Sequence, residues 1–268
     1  MTLKIGWFTT ARGIGSRGFF EFVQRAIKDE TLDASIEFVF CNREKGESDA
    51  TDSFIELVSD CNVPIIPFSS SYFKKQRGGK LWKFYRDEYH HEVISLVEKY
   101  NVDMCVLAGY MLIVSDEMCR RLLLINLHPA MPGGPVGTWQ NVIWKLIEQK
   151  YKDSGAMMHI VTEVLDSGPV ISYDKFPIVG EDFDDLWKSV EGVSIDKLTL
   201  QGEDQPLFSA IRATGVLRER PLLIQTLIAI AENKLKVTKT SVSNPVGLEL
   251  QNGINLTFEV DEFLRKNN

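Results

Sequence analysis

The feature that most constrains the fold of this chain is an alternation of short apolar runs with helical segments. Apolar runs at 4–10, 35–41 and 63–67 predict strands. The segments 19–29 and 51–60 between them predict helices. When a helix connects two strands, the chain returns to the same end of the sheet, so the strands run parallel. The sequence therefore predicts an α/β fold with a mostly parallel sheet and helices on both faces.

The same alternation continues to about residue 180. Residues 84–100 predict a long helix, and the apolar run 103–108 is typical of a central parallel strand buried on both faces. Ser115 is suited to cap a short helix that ends near Arg121. The next strand, 122–127, ends at His128. The pattern is completed by a helix at 138–151 and strands at 155–162 and 170–177.

Two regions depart from this pattern. Residues 69–82 are polar and basic, which predicts a mobile surface loop. Beyond residue 190 the periodicity weakens, so we expect a main domain over residues 1–190 and a C-terminal extension over 191–268 packed on it. The extension is predicted to contain a helix at 221–233, a strand at 234–239 and a small β appendage at 242–268.

Composition excludes several classes of function. The net charge of −7 and the pI near 5.3 argue against nucleic-acid or anionic-membrane binding, which needs clustered basic residues. There is no signal-peptide pattern, and no apolar run reaches the roughly 18 residues of a membrane helix. The four cysteines form no Cys-x-x-Cys pair, and the four histidines are too dispersed to predict zinc binding. We expect a cytoplasmic protein with no metal, nucleic-acid or membrane partner.

Three polar residues suggest a catalytic site. Ligands of open parallel sheets bind at the carboxyl ends of strands, where Asn126 and His128 lie two residues apart and on the same side of the strand. Asp166 follows in a later turn. The histidine can move a proton, the amide can stabilise an oxyanion and the carboxylate can orient the imidazole or a water molecule. Each residue also has a structural interpretation, as a hydrogen-bonded histidine or a turn-forming aspartate.

The spacing of four short motifs resembles that of a known family. Gly109-Tyr110-Met111, Ile125–Pro129, His159–Thr162 and Leu165–Ile171 occur in this order. The set is similar to the folate-dependent formyltransferases, and most closely to those that formylate glycinamide ribonucleotide. The resemblance covers roughly residues 1–180 and returns weakly near 216–237. It implies a Rossmann-like formyltransferase fold with a small C-terminal extension.

The resemblance also implies an activity. The expected reaction is transfer of a formyl group from 10-formyltetrahydrofolate to the amine of glycinamide ribonucleotide in de novo purine biosynthesis. Asn126, His128 and Asp166 match the catalytic residues of the family. The residues that correspond to the walls of the family's pterin pocket are Leu107, Gly109, Tyr110, Met111, Leu112, Ile113, Glu163, Val164 and Leu165. The residues expected to bind the phosphorylated amine are Gly13, Gly15, Ser16, Arg17, His159 and Thr162, and of these Arg17 departs from the family pattern. The glycine-rich turn at 13–17 opens a helix, whose free N–H groups attract anions.

The chain also departs from the family pattern. Arg17 stands where the family usually has asparagine, Leu112 replaces an arginine, and the loop 129–137 is altered. These differences leave another acceptor open, such as an amino sugar nucleotide. A hydrolase that releases formate and a non-catalytic folate- or nucleotide-binding protein are further alternatives. The hydrolase is disfavoured because no regulatory domain precedes the first strand. A homodimer is left open.

Overall fold

A computed structural model describes residues 2–79 and 81–267. Its centre is an eight-stranded sheet in the order β10-β7-β6-β5-β4-β1-β2-β3, and a separate two-stranded sheet pairs β8 with β9. The strands are β1 (Leu3–Thr9), β2 (Ala34–Cys41), β3 (Ile65–Pro67), β4 (Met104–Leu107), β5 (Leu124–His128), β6 (Asp153–Ile160), β7 (Val170–Pro177), β8 (Lys236–Val237), β9 (Val242–Ser243) and β10 (Ile254–Asn255).

The main sheet is mostly parallel, as the sequence predicts. The strands β1 to β5 pair in parallel, and so do β7 and β10. Only β6 is antiparallel to its neighbours β5 and β7. The helices are α1 (Ile14–Lys28), α2 (Asp49–Asp60), α3 (Ser70–Gln76), α4 (Arg86–Val97), α5 (Asp116–Arg121), α6 (Trp139–Glu148), α7 (Asp184–Val190), α8 (Ile195–Thr199), α9 (Pro206–Ala231) and α10 (Thr257–Asn267), with 3₁₀ turns at Trp82–Phe84 and Gly202–Asp204.

Both faces of the sheet are buried. Successive side chains of a strand point to opposite faces, and in β1 Trp7 and Phe8 enter two different apolar clusters. Trp7 packs with Phe20 of α1, whereas Phe8 lies in the cluster that contains Tyr89 of α4. Helices therefore cover both faces. This confirms the predicted fold class.

Helix starts follow capping chemistry. The side chain of Ser115 accepts a hydrogen bond from the backbone N–H of Met118, as predicted. Ser69 caps α3 in the same way, so the prediction of a loop across residues 69–82 is wrong for its first half. The reason is packing: Phe73 of α3 is buried, and the guanidinium of Arg77 lies 3.6 Å from its ring centroid. These tertiary contacts outweigh the polar composition.

The predicted start of α1 is also corrected. The helix begins at Ile14, five residues before the predicted start, and Gly13 is its N-cap. Gly15, Ser16 and Arg17 consequently lie in its first turn and not in a preceding loop. The backbone N–H groups of Gly15 and Ser16 belong to the unpaired set at a helix start, whereas that of Arg17 donates to the carbonyl oxygen of Gly13.

The C-terminal extension differs most from expectation. The predicted helix start at Pro221 is wrong, because α9 begins at Pro206 and runs through Pro221 for 26 residues. Proline removes one helical hydrogen bond, and burial of Leu222, Leu223 and Leu227 outweighs that loss. The predicted β appendage is partly wrong as well: β10 joins the main sheet beside β7, and a helix, α10, follows it.

A buried ion pair fastens α9 to the sheet. Arg218 donates two hydrogen bonds of 2.7 Å to Asp174 in β7 and one of 2.7 Å to Asp261 in α10. Burial raises the pKa of Asp174, and the Arg218 guanidinium opposes that shift. The segment after residue 190 therefore shares the core of the sheet. A domain boundary at residue 190 stays a prediction.

Candidate active site

A cavity of about 510 Å³ collects most of the residues that the sequence singles out. Its size lies within the range of about 300–1,000 Å³ that small-molecule sites occupy. Two groups of elements line it. We call the first the loop wall: residues 107–113 after β4 and residues 161–166 after β6, other than Val164. We call the second the helix wall: residues 137–140 at the start of α6, Arg212, Glu219 and Leu223 of α9, and Phe19 of α1.

Asn126 is positioned by the antiparallel neighbour of its strand. It lies opposite His159 in the pairing of β5 with β6, and its Nδ2 is 3.4 Å from His159 Nε2. His159 Nδ1 lies 3.0 Å from the carbonyl oxygen of Ile160, so Nδ1 carries the proton and Nε2 accepts from the amide. Burial lowers the pKa of His159 and favours this neutral ring. His159 therefore fixes which atom of the Asn126 amide faces away from it.

His128 has hydrogen-bond acceptors on both sides of its ring. Its Nδ1 lies 3.6 Å from Asp166 Oδ2, and its Nε2 lies 3.3 Å from the carbonyl oxygen of Pro135. A ring protonated on both nitrogens satisfies both neighbours, whereas a neutral ring satisfies one. His128 is buried, which strengthens the attraction between an imidazolium and the carboxylate.

Asp166 is brought to the histidines by an unusual backbone. Its φ of 52° is in the left-handed region, which few residues other than glycine adopt. Gly168 allows the turn to close, because a β-carbon there would collide with the carbonyl oxygen of Ile160. The Oδ1 atom of Asp166 lies 3.9 Å from His159 Nε2, so the carboxylate borders both histidine rings. Strain of this kind is often found where a side chain must hold a functional position.

The loop wall is anchored from behind. The backbone N–H of Met111 donates to Thr10 Oγ1 at 2.8 Å, and the φ of Gly109 is 71°. Tyr110 turns its side chain into the core, where its hydroxyl lies 3.1 Å from His90 Nε2. His90 Nδ1 accepts from the backbone N–H of Ser115 at 3.0 Å, and burial lowers the pKa of His90 to about 4. The wall therefore presents backbone groups and the exposed side chains of Met111 and Ile113.

The structure brings most, but not all, predicted site residues to the cavity. Val164 is 65% exposed and lies outside the lining, as do Gly13, Gly15, Ser16 and Arg17. Ser16 nevertheless touches the loop wall, since a β-carbon on Gly109 would collide with its hydroxyl. The predicted residues that line the cavity are Leu107, Gly109, Tyr110, Met111, Leu112, Ile113, Asn126, His128, His159, Thr162, Glu163, Leu165 and Asp166.

The helix wall was not predicted. Arg212 donates to Glu219 at 2.5 Å, and its guanidinium lies 4.5 Å from the ring centroid of Trp139. Trp139 follows the N-cap Thr138, whose side chain accepts from the backbone N–H of Asn141. No motif marks these residues, because α6 and α9 lie far apart in sequence. A seven-residue spacing of an arginine and a glutamate on one helix face was the only available signal, and it is common on solvated helices.

Residues 2–79 and 81–267 contain neither a metal-binding cluster nor a membrane-spanning helix. No group of histidine, cysteine, aspartate and glutamate side chains in this part of the chain is arranged to hold a metal ion. None of the helices in the same residues combines the length and the apolar character needed to cross a membrane.

Comparison with known proteins identifies the family. An α/β sheet with an amide, two imidazoles and a carboxylate at one cavity is suited to acyl transfer. Residues 13–191 match the model of the formyl transferase family. The match covers more than half of the chain, which therefore belongs to the formyl transferase family.

Individual relatives agree with that assignment. The chain is 29% identical over 167 residues to phosphoribosylglycinamide formyltransferase of Dictyostelium discoideum, covering 59% of this chain and 77% of the relative. It is 31% identical over 145 residues to formyltetrahydrofolate deformylase of Bacillus subtilis, covering 53% of this chain and 41% of the relative. The structure of phosphoribosylglycinamide formyltransferase from Coxiella burnetii superimposes with a TM-score of 0.65 at 16% identity, covering 95% and 99% of the two chains.

Proposed function

We propose that this protein transfers a formyl group from 10-formyltetrahydrofolate to the amine of glycinamide ribonucleotide, a step of de novo purine biosynthesis. The observation that carries the proposal is the convergence of Asn126, His128 and Asp166 on one cavity in a member of the formyl transferase family. The names of the relatives from Dictyostelium and Coxiella support the acceptor.

Charge stabilisation is the first task of such a site. When the amine attacks the formyl carbon, negative charge develops on the formyl oxygen. The Asn126 amide and a doubly protonated His128 are the donors available to that oxygen. The neutral His159 ring accepts from Asn126, which leaves the other amide hydrogen free to face the cavity.

Proton movement is the second task. Asp166 lies 3.6 Å from His128 Nδ1, close enough for its carboxylate to orient the ring. The leaving nitrogen of the folate needs a proton as the carbon–nitrogen bond breaks, and the attacking amine must lose one. We propose that Asp166 mediates this exchange through water, since its side chain borders the cavity and is 14% exposed.

The loop wall suits the donor. Backbone groups near Leu112 would face the hydrogen-bonding edge of a pterin ring, and apolar side chains of the loop wall its flat faces, whereas the C=O of Gly109 already accepts from the N–H of Thr10. Both groups of loop-wall residues border the same cavity as His128. The formyl group of a donor bound there would be close to the catalytic residues.

A different amine acceptor is the second candidate. It is favoured by Arg17 and by the helix wall, which places Arg212 and Glu219 in a cavity where the sequence predicts no such pair. Hydrolysis of the donor is a further candidate, because the deformylase of Bacillus subtilis is also a relative. The acceptor screen described next tests both alternatives.

The deciding experiment is an acceptor screen. The protein is incubated with 10-formyltetrahydrofolate and, in separate reactions, with glycinamide ribonucleotide, an amino sugar nucleotide or no acceptor. We expect donor loss and a formylated product only with glycinamide ribonucleotide. A product formed only with the amino sugar nucleotide would identify that compound, and not glycinamide ribonucleotide, as the acceptor. Release of formate without any acceptor would indicate a hydrolase.

A further inference from the structure

We propose that Arg212 is an acceptor-binding residue that recognises the phosphate of the acceptor and thereby determines specificity for phosphorylated amines. The inference rests on the proposed function, and it concerns a residue that the family resemblance does not assign. Its basis is the position, partners and surroundings of one guanidinium in the helix wall.

Arg212 is the permanent cation of the cavity. Among the described lining residues, the other charged or titratable groups are Glu163, Asp166, Glu219, Tyr110 and the two histidines. The chain as a whole has a net charge of −7, so its general field repels an anion. A phosphorylated acceptor consequently needs a local cation at the site, and Arg212 supplies it.

Two contacts hold Arg212 in a fixed position. Its Nη1 donates to Glu219 at 2.5 Å, and its guanidinium is 4.5 Å from the ring centroid of Trp139. Glu219 is buried, and burial raises the pKa of its carboxyl group. A guanidinium has five N–H donors in a planar fork, and the pair with Glu219 uses one of them. The remaining donors match the bidentate geometry of a phosphate.

The helix wall is continuous with the helix that carries the predicted phosphate turn. Phe19 of α1 and Leu223 of α9 both line the cavity. The two helices meet where Arg220 lies over Gly18, since a β-carbon on Gly18 would overlap that guanidinium. Arg212 therefore lies on a helix that also packs against α1, and it does not belong to the loop wall.

The test compares two acceptors that differ only in the phosphate. Steady-state KM values are measured for glycinamide ribonucleotide and for its dephosphorylated riboside, with wild type and Arg212→Gln. We expect Arg212→Gln to raise the KM of the phosphorylated acceptor about 10- to 100-fold and to leave the KM of the riboside and of the donor unchanged. Arg212→Lys keeps the charge but not the planar fork of donors, so its KM for the phosphorylated acceptor should lie between those of wild type and Arg212→Gln.

Controls separate recognition from folding. Arg265→Gln removes a similar arginine–glutamate pair, at 2.6 Å on α10 and outside the cavity, and should change neither KM. Glu219→Gln tests positioning: it should raise the KM of the phosphorylated acceptor with little change in kcat. An equal rise in KM for both acceptors in Arg212→Gln would overturn the inference.

A failure of the proposed function would be distinguishable. If wild type formylates neither acceptor, the proposed acceptor is wrong, and binding of inorganic phosphate then decides the role of Arg212. We expect phosphate to raise the melting temperature of wild type and not that of Arg212→Gln. The same phosphate response in both proteins would overturn the inference independently of any activity.

Discussion

The two walls of the cavity are built in different ways. The loop wall consists of segments that directly follow strands, and its backbone conformation is fixed by a positive φ at Gly109 and at Asp166. The helix wall consists mainly of side chains from the start of α6 and from α9, with Phe19 of α1, and these helices meet only in the folded protein. The loop wall presents mainly backbone groups, and the helix wall presents a charged pair and an indole ring.

This difference indicates how specificity can vary within one fold. A backbone surface tolerates changes of side chain, so it suits the part of a substrate that stays constant, here the folate donor. A wall of side chains on helices can change with single substitutions, so it suits the part that varies, here the acceptor. Variants of each wall should therefore affect one substrate and leave the other unaffected.

The largest expected effect lies between the walls, in the catalytic trio. His128→Ala should lower kcat by about 10²- to 10⁴-fold, because it removes both the charge and the proton donor, and it should do so at either acceptor. Asp166→Asn should also lower kcat, because it removes the carboxylate beside Nδ1. The two effects should not add, since the residues act as a unit.

The control for the trio is thermal unfolding of the same variants. If His128 and Asp166 were only structural, Asp166→Asn would leave kcat nearly intact and His128→Ala would chiefly lower the melting temperature. Asn126→Ala should lower kcat by about 10²- to 10³-fold, the usual contribution of one oxyanion donor.

The next effect concerns the support of the helix wall. Asp174→Asn should lower the free energy of unfolding by about 3 kcal/mol, because it leaves the buried Arg218 without its main partner. Urea titration at pH 7 measures this loss. Lys175→Gln is the matched control. Lys175 lies on β7 beside Asp174 and forms an exposed pair with Asp153 of β6, so its loss should cost less than about 1 kcal/mol. Equal losses would mean that Arg218 does not anchor α9.

The sequence predicts the loop wall better than the helix wall, for a physical reason. Asn126 and His128 lie at the end of β5, a parallel strand, so their place at the carboxyl end of the sheet follows from local sequence. Asp166 follows β6, which is antiparallel to β5, so its approach to His128 depends on the turn that carries it. The position of Arg212 depends on where α9 begins. Pro221 suggested a helix start, whereas burial of the preceding turns extends the helix back to Pro206. The start of α9, and with it the position of Arg212, is therefore determined by tertiary packing and not by the local sequence pattern.

The same limit explains the corrections near the chain ends. α3 replaces part of a predicted loop because Phe73 finds a buried site. β10 is only two residues long, so its sequence carries little strand signal. The strand forms because these residues pair with β7. The mostly parallel sheet and the position of Asn126 and His128 at the end of β5 follow from local sequence, whereas α3 and β10 depend on contacts in the assembled core.

The support of the loop wall should depend on pH. Burial lowers the pKa of His90 to about 4 from its ordinary 6.5, and Arg86 adds to this shift. The unfolded chain therefore binds a proton between these values that the folded chain excludes, and stability falls as the pH decreases from 6.5 towards 4. The total loss should be on the order of 3 kcal/mol.

Urea titrations across this pH window test the role of His90. His90→Gln should be less stable than wild type at pH 7 and should lose less stability on acidification. His91→Gln is the matched control, because His91 is the adjacent, exposed residue of α4. A wild type whose stability is constant between pH 6.5 and 4 would contradict the buried neutral state of His90.

The donor should stabilise the protein through the loop wall alone. A non-reactive folate analogue at about 100 times its Kd should raise the free energy of unfolding by about 2.7 kcal/mol. Arg212→Gln should show the same increase, because its wall does not contact the donor. Gly109→Ala should reduce it, since a β-carbon there meets Ser16 and the φ of 71° disfavours alanine. Absence of any shift in folded wild type would contradict folate binding.

The smallest expected effect distinguishes the two cations proposed for the acceptor. Arg17 lies in the first turn of α1, is 43% exposed and already pairs with Glu21 at 2.8 Å. An exposed pair of this kind contributes less than about 1 kcal/mol, so Arg17→Ala should raise the acceptor KM by about two- to fivefold and leave the donor KM unchanged. The backbone N–H groups of Gly15 and Ser16 remain in the variant and can still bind the phosphate. If Arg17→Ala raised the acceptor KM more than Arg212→Gln does, phosphate recognition would lie at the start of α1 and not in the helix wall.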